Sequence, residues 1–159
     1  MSVEETPIPE IRVHPIRNGT VIDHITAGQA LNVLNILNIP NPSSGVVSII
    51  INAPSVHGIK DVVKIEGREL NLEEVDRISL IAPNATINII RNFEVSEKTH
   101  VHIPEKVSGV VKCINPNCIS NSNEPVTSRF TVKPDGRRIT LRCSYCERTI
   151  SEDIGNHLL

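Results

Sequence analysis

The rhythm of apolar and polar positions changes several times along the chain, and each change predicts an element. From Ile11 to Arg17 the two kinds alternate, which predicts a strand, and Asn18-Gly19 supplies a turn before the extended run Val21-Ile22-Asp23-His24. Ala30, Leu31, Leu34, Ile36 and Leu37 then recur at helical intervals, with Thr26 and Gln29 spaced as a capping box and Pro40 as the stop. After the loop Asn41-Pro42-Ser43-Ser44-Gly45, Val46 to Ala53 is almost wholly apolar and β-branched, which predicts a central strand ended by Pro54. Lys60 to Glu66 reads as a third strand. Asn71, with Glu74 at the third helical position, caps a second helix whose stripe is Leu72, Val75, Ile78, Leu80 and Ile81, up to Pro83. Thr86 to Val95 predicts a fourth strand.

The order strand-helix-strand-strand-helix-strand is α+β and predicts a ferredoxin-like sandwich, a four-stranded antiparallel sheet with two helices on one face. Ahead of it, residues 1–10 hold two Pro and three Glu with little apolar content, which predicts a mobile tail. Behind it, Thr99 to Val107 is a polar crossing that contains Pro104, the expected boundary between two domains. Beyond the crossing, Thr127–Lys133, Pro134-Asp135-Gly136 and Arg137–Arg142 carry the alternation and turn residues of a hairpin. The expected division is a tail over 1–10, a first domain over 11–103 and a small β domain over 104–159.

The cysteines give the second domain its chemistry. All four lie beyond residue 112, as Cys113-x4-Cys118 and Cys143-x2-Cys146, with the hairpin between the pairs. Two close thiolate pairs joined by a hairpin complete a tetrahedral four-sulfur shell around Zn2+ and leave no open coordination position, so the metal is structural, one per chain. Two disulfides are the alternative, and they belong to oxidising compartments. The N-terminus MSVEETPIPEIRV has no cationic stretch followed by an apolar core, and no run approaches the roughly 20 apolar residues that span a bilayer. The expectation is therefore a cytoplasmic, reduced protein. A thioredoxin-type role for Cys143 and Cys146 leaves Cys113 and Cys118 without a purpose. A domain of this size, with Phe130 and Tyr145 as its only aromatics, buries too little to fold unaided, and the metal supplies the difference.

Charge adds little. The net charge is −2, divided as −4 before residue 104 and +2 after it, so neither part is a polycation. Lys60 and Lys64 stand four apart in a predicted strand and share a face; that pattern suits phosphate binding, though residue type alone favours solvated edge charges. Asp23-His24 reads more readily as turn or surface hydrogen bonding than as catalysis. His100 and His102 flank the crossing and read as surface residues, since four cysteines already close the metal shell. No phosphate-loop, dinucleotide-binding, serine-hydrolase or metalloprotease motif occurs. These observations favour binding or regulation over catalysis. A zinc-ribbon nucleic-acid binder is the competing class, and Arg129, Lys133, Arg137, Arg138 and Arg142 make a modest basic hairpin. The predicted central strands VVSIIINA and ATINIIRN carry no aromatic for base stacking, which disfavours it.

Taken in order, RNGTVIDHI, GIKDVVKIE, LIAPNATINIIRNFEV, CINPNCIS and LRCSYCE resemble the regulatory chain of aspartate carbamoyltransferase, in a prokaryotic, archaeal-like form, from about residue 11 to 153. The resemblance implies a non-catalytic subunit in pyrimidine biosynthesis whose first domain binds nucleotide effectors, CTP, ATP and UTP among them. On it, Lys60 and Lys64 become phosphate and ribose contacts, Asp23 and Lys98 match sugar and triphosphate positions, and His24 lies beside them. Val13, Ile16, Arg17, Val21, Asn88, Ile90 and Val95 match the rest of the pocket wall. His14, Pro15 and Phe93 depart from better-known members, and Phe93 lacks the hydroxyl of the Tyr found there. Asn115, Asn117 and Glu147 match contacts to the catalytic chain. The implied assembly pairs the first domains and links two catalytic trimers through three regulatory dimers.

Overall fold

A computed structural model of the chain describes residues 15–136 and 138–159. The expected tail, residues 11–14 of the expected first strand, and Arg137 lie outside them. Residues 15–17 form no strand, and the first described strand, β1, is Gly19–Thr26. Gly19 is thus part of a strand rather than of a turn. A Cβ there would stand 2.1 Å from the Ile65 carbonyl oxygen, so only glycine allows the backbones to approach this closely.

Beyond β1 come α1 (Ala30–Ile36), β2 (Val47–Ser55), β3 (Gly58–Glu66), α2 (Leu72–Ile81), β4 (Thr86–Arg91) and β5 (Glu94–His100). The five strands form one antiparallel sheet in the order β2-β3-β1-β4-β5. The first six elements after residue 18 therefore trace the expected ferredoxin-like order, and β5 is an addition beside β4. One face of the sheet is covered by the helices. Ile22 pairs with Val63 on one side and Ile87 on the other, and this row packs with Val33, Leu34, Leu37, Ile78 and Ile81 in a single buried cluster. Each such aliphatic side chain contributes about 1.5–3 kcal/mol on burial.

Several expectations need correction. Val46–Ala53 is not a central strand: β2 pairs only with β3 among the described residues, and Ile49 and Ile51 are exposed. Apolar, β-branched content reports extended structure, not the number of strands that pair with it. Pro54 does not end the strand either, because an edge strand tolerates a proline. Thr86–Val95 is two strands, turned at Asn92-Phe93 with φ of 51° and 66°, the signature of a tight two-residue hairpin. Thr99 and His100 consequently belong to β5, and the polar crossing shrinks to residues 101–105.

The helix starts divide in the same way. Asn71 and Glu74 form the expected capping box on α2, each side chain meeting the other's backbone N–H. Thr26 caps nothing: it ends β1, and the Gln29 side chain makes no cap bond to α1.

The second part consists of β6 (Lys106–Ser108), β7 (Arg129–Asp135), β8 (Arg138–Cys143) and β9 (Thr149–Ile150), an antiparallel sheet in sequence order. Phe130, fully buried, stands opposite Val107 and Cys143. The C-terminal residues return toward the helices. Leu158 bridges to Val111, Arg77 of α2 donates to the Leu159 carbonyl oxygen, and Gly155 lies against Asn32 of α1. The buried cluster runs without a break from the helices to Phe130 and Leu141.

Candidate functional site

Asp61 organises one end of the first sheet. Its carboxylate is fully buried in β3, where Oδ2 accepts the N–H groups of Gly28 (3.0 Å) and Ala30 (3.2 Å) and Oδ1 accepts that of Asn52 (3.1 Å). It thereby takes one of the unpaired donors at the start of α1, that of Ala30, and one in the turn just before it, a role expected of Thr26. Both strands beside it bulge here: the register of β1 slips between Ile22 and Ile25, that of β2 between Ile50 and Ala53, and His24 and Asn52 take φ of 56° and 62°. A buried acceptor between two bulges fixes their geometry, and the β1 bulge re-aims Asp23 and His24.

The sheet face away from the helices carries a polar row. Val21 pairs with Lys64 and Asn88, and Asn88 pairs with Lys98, so these four residues share a face across four strands. Ser48 of β2 extends the row beyond Lys64. A parallel row joins Asp23, Thr86 and His100. Lys60 Nζ lies 2.8 Å from Asp23 Oδ1, and His24 Nδ1 lies 3.3 Å from Thr86 Oγ1. Burial alone would raise the Asp23 pKa; the Lys60 ammonium and the His24 N–H outweigh it and hold the carboxyl below its ordinary 3.8. Beside these rows opens a cavity of about 840 Å³, bounded by the ends of β1 and β5, the β2–β3 turn and the Pro83-Asn84 loop. Lys60, Lys98, His24, His57 and His100 line it, within the volume range of small-ligand sites.

The residues expected to bind nucleotide are thus distributed along one face. His24, Lys60 and Lys98 meet at the cavity, and Asp23 holds Lys60. Val21, Lys64 and Asn88 occupy the adjoining row, while Ile90 and Val95 pair at the far end beside Gly19. Ile16 is buried and Arg17 exposed near that end, where the Arg17 carbonyl accepts the Phe93 N–H at 2.9 Å. Val13 lies outside the described residues. The cavity also takes in His100, read from sequence as a surface residue beside a linker, and His57, which sequence reasoning passed over. Hairpin register would have found His100, had the turn at Asn92-Phe93 been legible.

The four cysteine sulfurs form one cluster, all within 4.8 Å of one another. Cys113 and Cys146 Sγ are 3.5 Å apart, and Cys118 and Cys143 Sγ 3.7 Å, against an edge of about 3.8 Å for a tetrahedron with Zn–S bonds of about 2.3 Å. No cysteine is in a disulfide. Burial pushes the Cys113 thiol up to about 12, whereas the Arg148 N–H pulls Cys146 down to about 7. The donor set thus suits zinc, which would draw all four as thiolates. The Asn115 N–H donates to Cys113 Sγ, and the Asn121 amide clamps the loop by donating to the Cys113 and Asn115 carbonyls at 3.0 and 2.7 Å. Asn117 is exposed on that loop, its N–H on Asn115 Oδ1; Glu147, exposed with φ of 66°, lies 3.6 Å from Arg142.

Two family models match the two parts. Residues 11–102 match the aspartate carbamoyltransferase regulatory chain, allosteric domain, and residues 105–156 match its metal binding domain. The chain belongs to the aspartate carbamoyltransferase regulatory chain family. The regulatory chain of Methanococcoides burtonii is 76% identical over 159 residues, covering 100% of both chains. That of Methanocella arvoryzae is 64% identical over 152 residues, 94% of this chain and 97% of the other, and that of Methanosarcina barkeri 57% over 151 residues, with the same coverage. A regulatory chain is a non-catalytic subunit whose partner is the catalytic chain of the enzyme. No helix among the described residues is long and apolar enough to cross a membrane.

Proposed function

We propose that this regulatory chain binds CTP- and ATP-type nucleotides, UTP included, on the sheet face away from its helices and transmits their effect to the catalytic chains of aspartate carbamoyltransferase in cytoplasmic pyrimidine biosynthesis. The observation that carries the reading is the row Val21–Lys64–Asn88–Lys98 running into the cationic cavity. Lys60 and Lys64, four residues apart on β3, are separated by about 13 Å, room for a ligand with a charged end and a neutral end. Lys60, Lys98 and His24 take the phosphates; Asp23 accepts from the sugar hydroxyls. Ile16, Arg17, Val21, Ile90 and Val95, with Val13, form the base end, where backbone groups read the base edge. Lys64 and Asn88 bridge the two ends.

In the same reading, residues 11–103 are the effector domain and 104–159 the docking domain. Asn115, Asn117 and Glu147 meet the catalytic chain, their loops fixed by zinc although the metal touches no partner. The exposed Ile49, Ile51 and Val46 along the β2 edge pair with a second copy, and three such dimers join two catalytic trimers. A coupling of about 1–3 kcal/mol would change aspartate affinity roughly 5–150-fold, with a reciprocal effect on nucleotide binding. The test is aspartate saturation of the reconstituted enzyme with and without each nucleotide: a shifted midpoint is expected, and identical curves for every nucleotide would refute the effector reading.

A further inference from the structure

Asp61 is the one charged side chain that is buried among the described residues. Burying a charge costs desolvation free energy, which its bonds must offset, and here those bonds tie β3 to the start of α1 and to β2. A bulge flanks it on either side. In β1 the bulged pair Asp23-His24 stands opposite Val62, and in β2 the pair Ile51-Asn52 stands opposite Asp61 itself. The first bulge brings Asp23 to 2.8 Å from Lys60, on the face of the proposed nucleotide site. The second lies on the edge strand, where Ile49 and Ile51 are exposed. Because a bulge decides which residues beyond it face each side of the sheet, its position sets the row that this edge offers to another strand. Lys60 and Asp61 are neighbours on β3 with side chains on opposite faces, so one peptide unit separates the two surfaces.

Resting on the nucleotide and pairing readings above, we propose that Asp61 is a positioning residue that links them: through its carboxylate, a nucleotide on β1 and β3 and a second copy paired along β2 each tighten the binding of the other. A ligand that takes hold of Lys60 loads the β1 bulge through Asp23. That bulge cannot shift without Val62 and Asp61, and Asp61 cannot shift without releasing Asn52 or the start of α1. Both events need the same bulge geometry. Whichever comes first bears the ordering cost, so the second binds more tightly, and the effect is reciprocal by thermodynamic necessity.

The test is a thermodynamic cycle on the full zinc-loaded chain. The dissociation constant of its dimer, read on dilution from energy transfer between donor- and acceptor-labelled copies, is measured with and without ATP for the wild type and for Asp61→Asn. Asparagine keeps the volume but replaces one acceptor oxygen with a donor, so it satisfies one side of the carboxylate's bonds and opposes the other. ATP is expected to tighten the wild-type dimer by at least about fivefold, the lower end of allosteric couplings, and the variant dimer by less than about twofold. A role confined to stability weakens the dimer and nucleotide binding alike yet leaves that ratio intact, so a variant with the full wild-type shift overturns the link, as does a wild type with no shift. In wild type dilute enough to be monomeric, ATP should also slow hydrogen exchange at the Asn52 amide, whose bond goes to Asp61; unchanged exchange there overturns the link even where the variant does not fold. Absence of ATP binding to the wild type overturns the effector reading beneath it, and absence of any dimer overturns the pairing reading.

Discussion

Asp61→Ala is the sharpest test of how the fold supports the cavity. The wild-type carboxylate, fully buried, satisfies three backbone donors from two segments: Gly28 and Ala30 at the start of α1, and Asn52 in the β2 bulge. Alanine leaves all three without their acceptor. The Ala30 bond is wholly buried, so its loss costs about 1.5–3 kcal/mol, the range for a hydrogen bond to a charged group. The Gly28 and Asn52 bonds are partly buried, and water can replace the acceptor there, so each adds about 0.5–1 kcal/mol. The expected total is about 2.5–5 kcal/mol, a large share of the 5–15 kcal/mol that holds a typical domain. For a chain of this length that lowers the melting temperature by roughly 5–20 °C. Urea denaturation of the full zinc-loaded chain measures the free energy and calorimetry the melting point. A loss below about 1 kcal/mol would falsify the claim that this one side chain closes both bulges and the helix start.

Other outcomes follow from the same physical terms. Cys146→Ser should abolish zinc retention and melt the second part, because a three-sulfur shell cannot close and the small core depends on the metal; metal analysis with circular dichroism decides it, and a folded, zinc-free variant would contradict it. Lys60→Ala should raise the Asp23 titration midpoint, seen by carboxyl carbon NMR, since burial then acts with less opposition. The sign for stability is that the ionised Asp23 contribution is complete above about pH 3.8 and is lost as pH falls through the lowered native pKa; a midpoint unmoved by the substitution would show that Lys60 does not set it. Gly19→Ala should destabilise, because the new Cβ would sit 2.1 Å from the Ile65 oxygen and force β1 from β3; an unchanged melting temperature would refute that contact. Phe130→Ala should cost about 3–5 kcal/mol, as the only large aromatic in the buried cluster among the described residues, measured by urea titration.

What was legible in the chain depended on the range of the signal. The α2 capping box spans four residues and its stripe ten, both local, and both appear as expected. The start of α1 did not, because its acceptor is Asp61, thirty-one residues from Ala30, and no local spacing reports such a partner. The β4–β5 hairpin was hidden because Asn-Phe is not a usual pair for a turn with two positive φ values, so ten residues read as one strand. The apolar run of β2 forms the expected strand but at the sheet edge, since β-branched content reports extended structure and not how many neighbouring strands pair with it.

The amino-acid order alone settled the two helices, the hairpin between the cysteine pairs, the α+β class, the four sulfurs as a closed shell suited to zinc, and the family. All of these rest on periods and spacings of a few residues, or on motifs kept in register with a known pattern. Tertiary pairing settled which side chains share a surface: Lys64 with Asn88 and Lys98, Asp23 with Lys60, and His57 with His100. The physical reason is that antiparallel register, bulges and turns convert separations of tens of residues into distances of a few ångströms, and only the assembled sheet fixes that conversion.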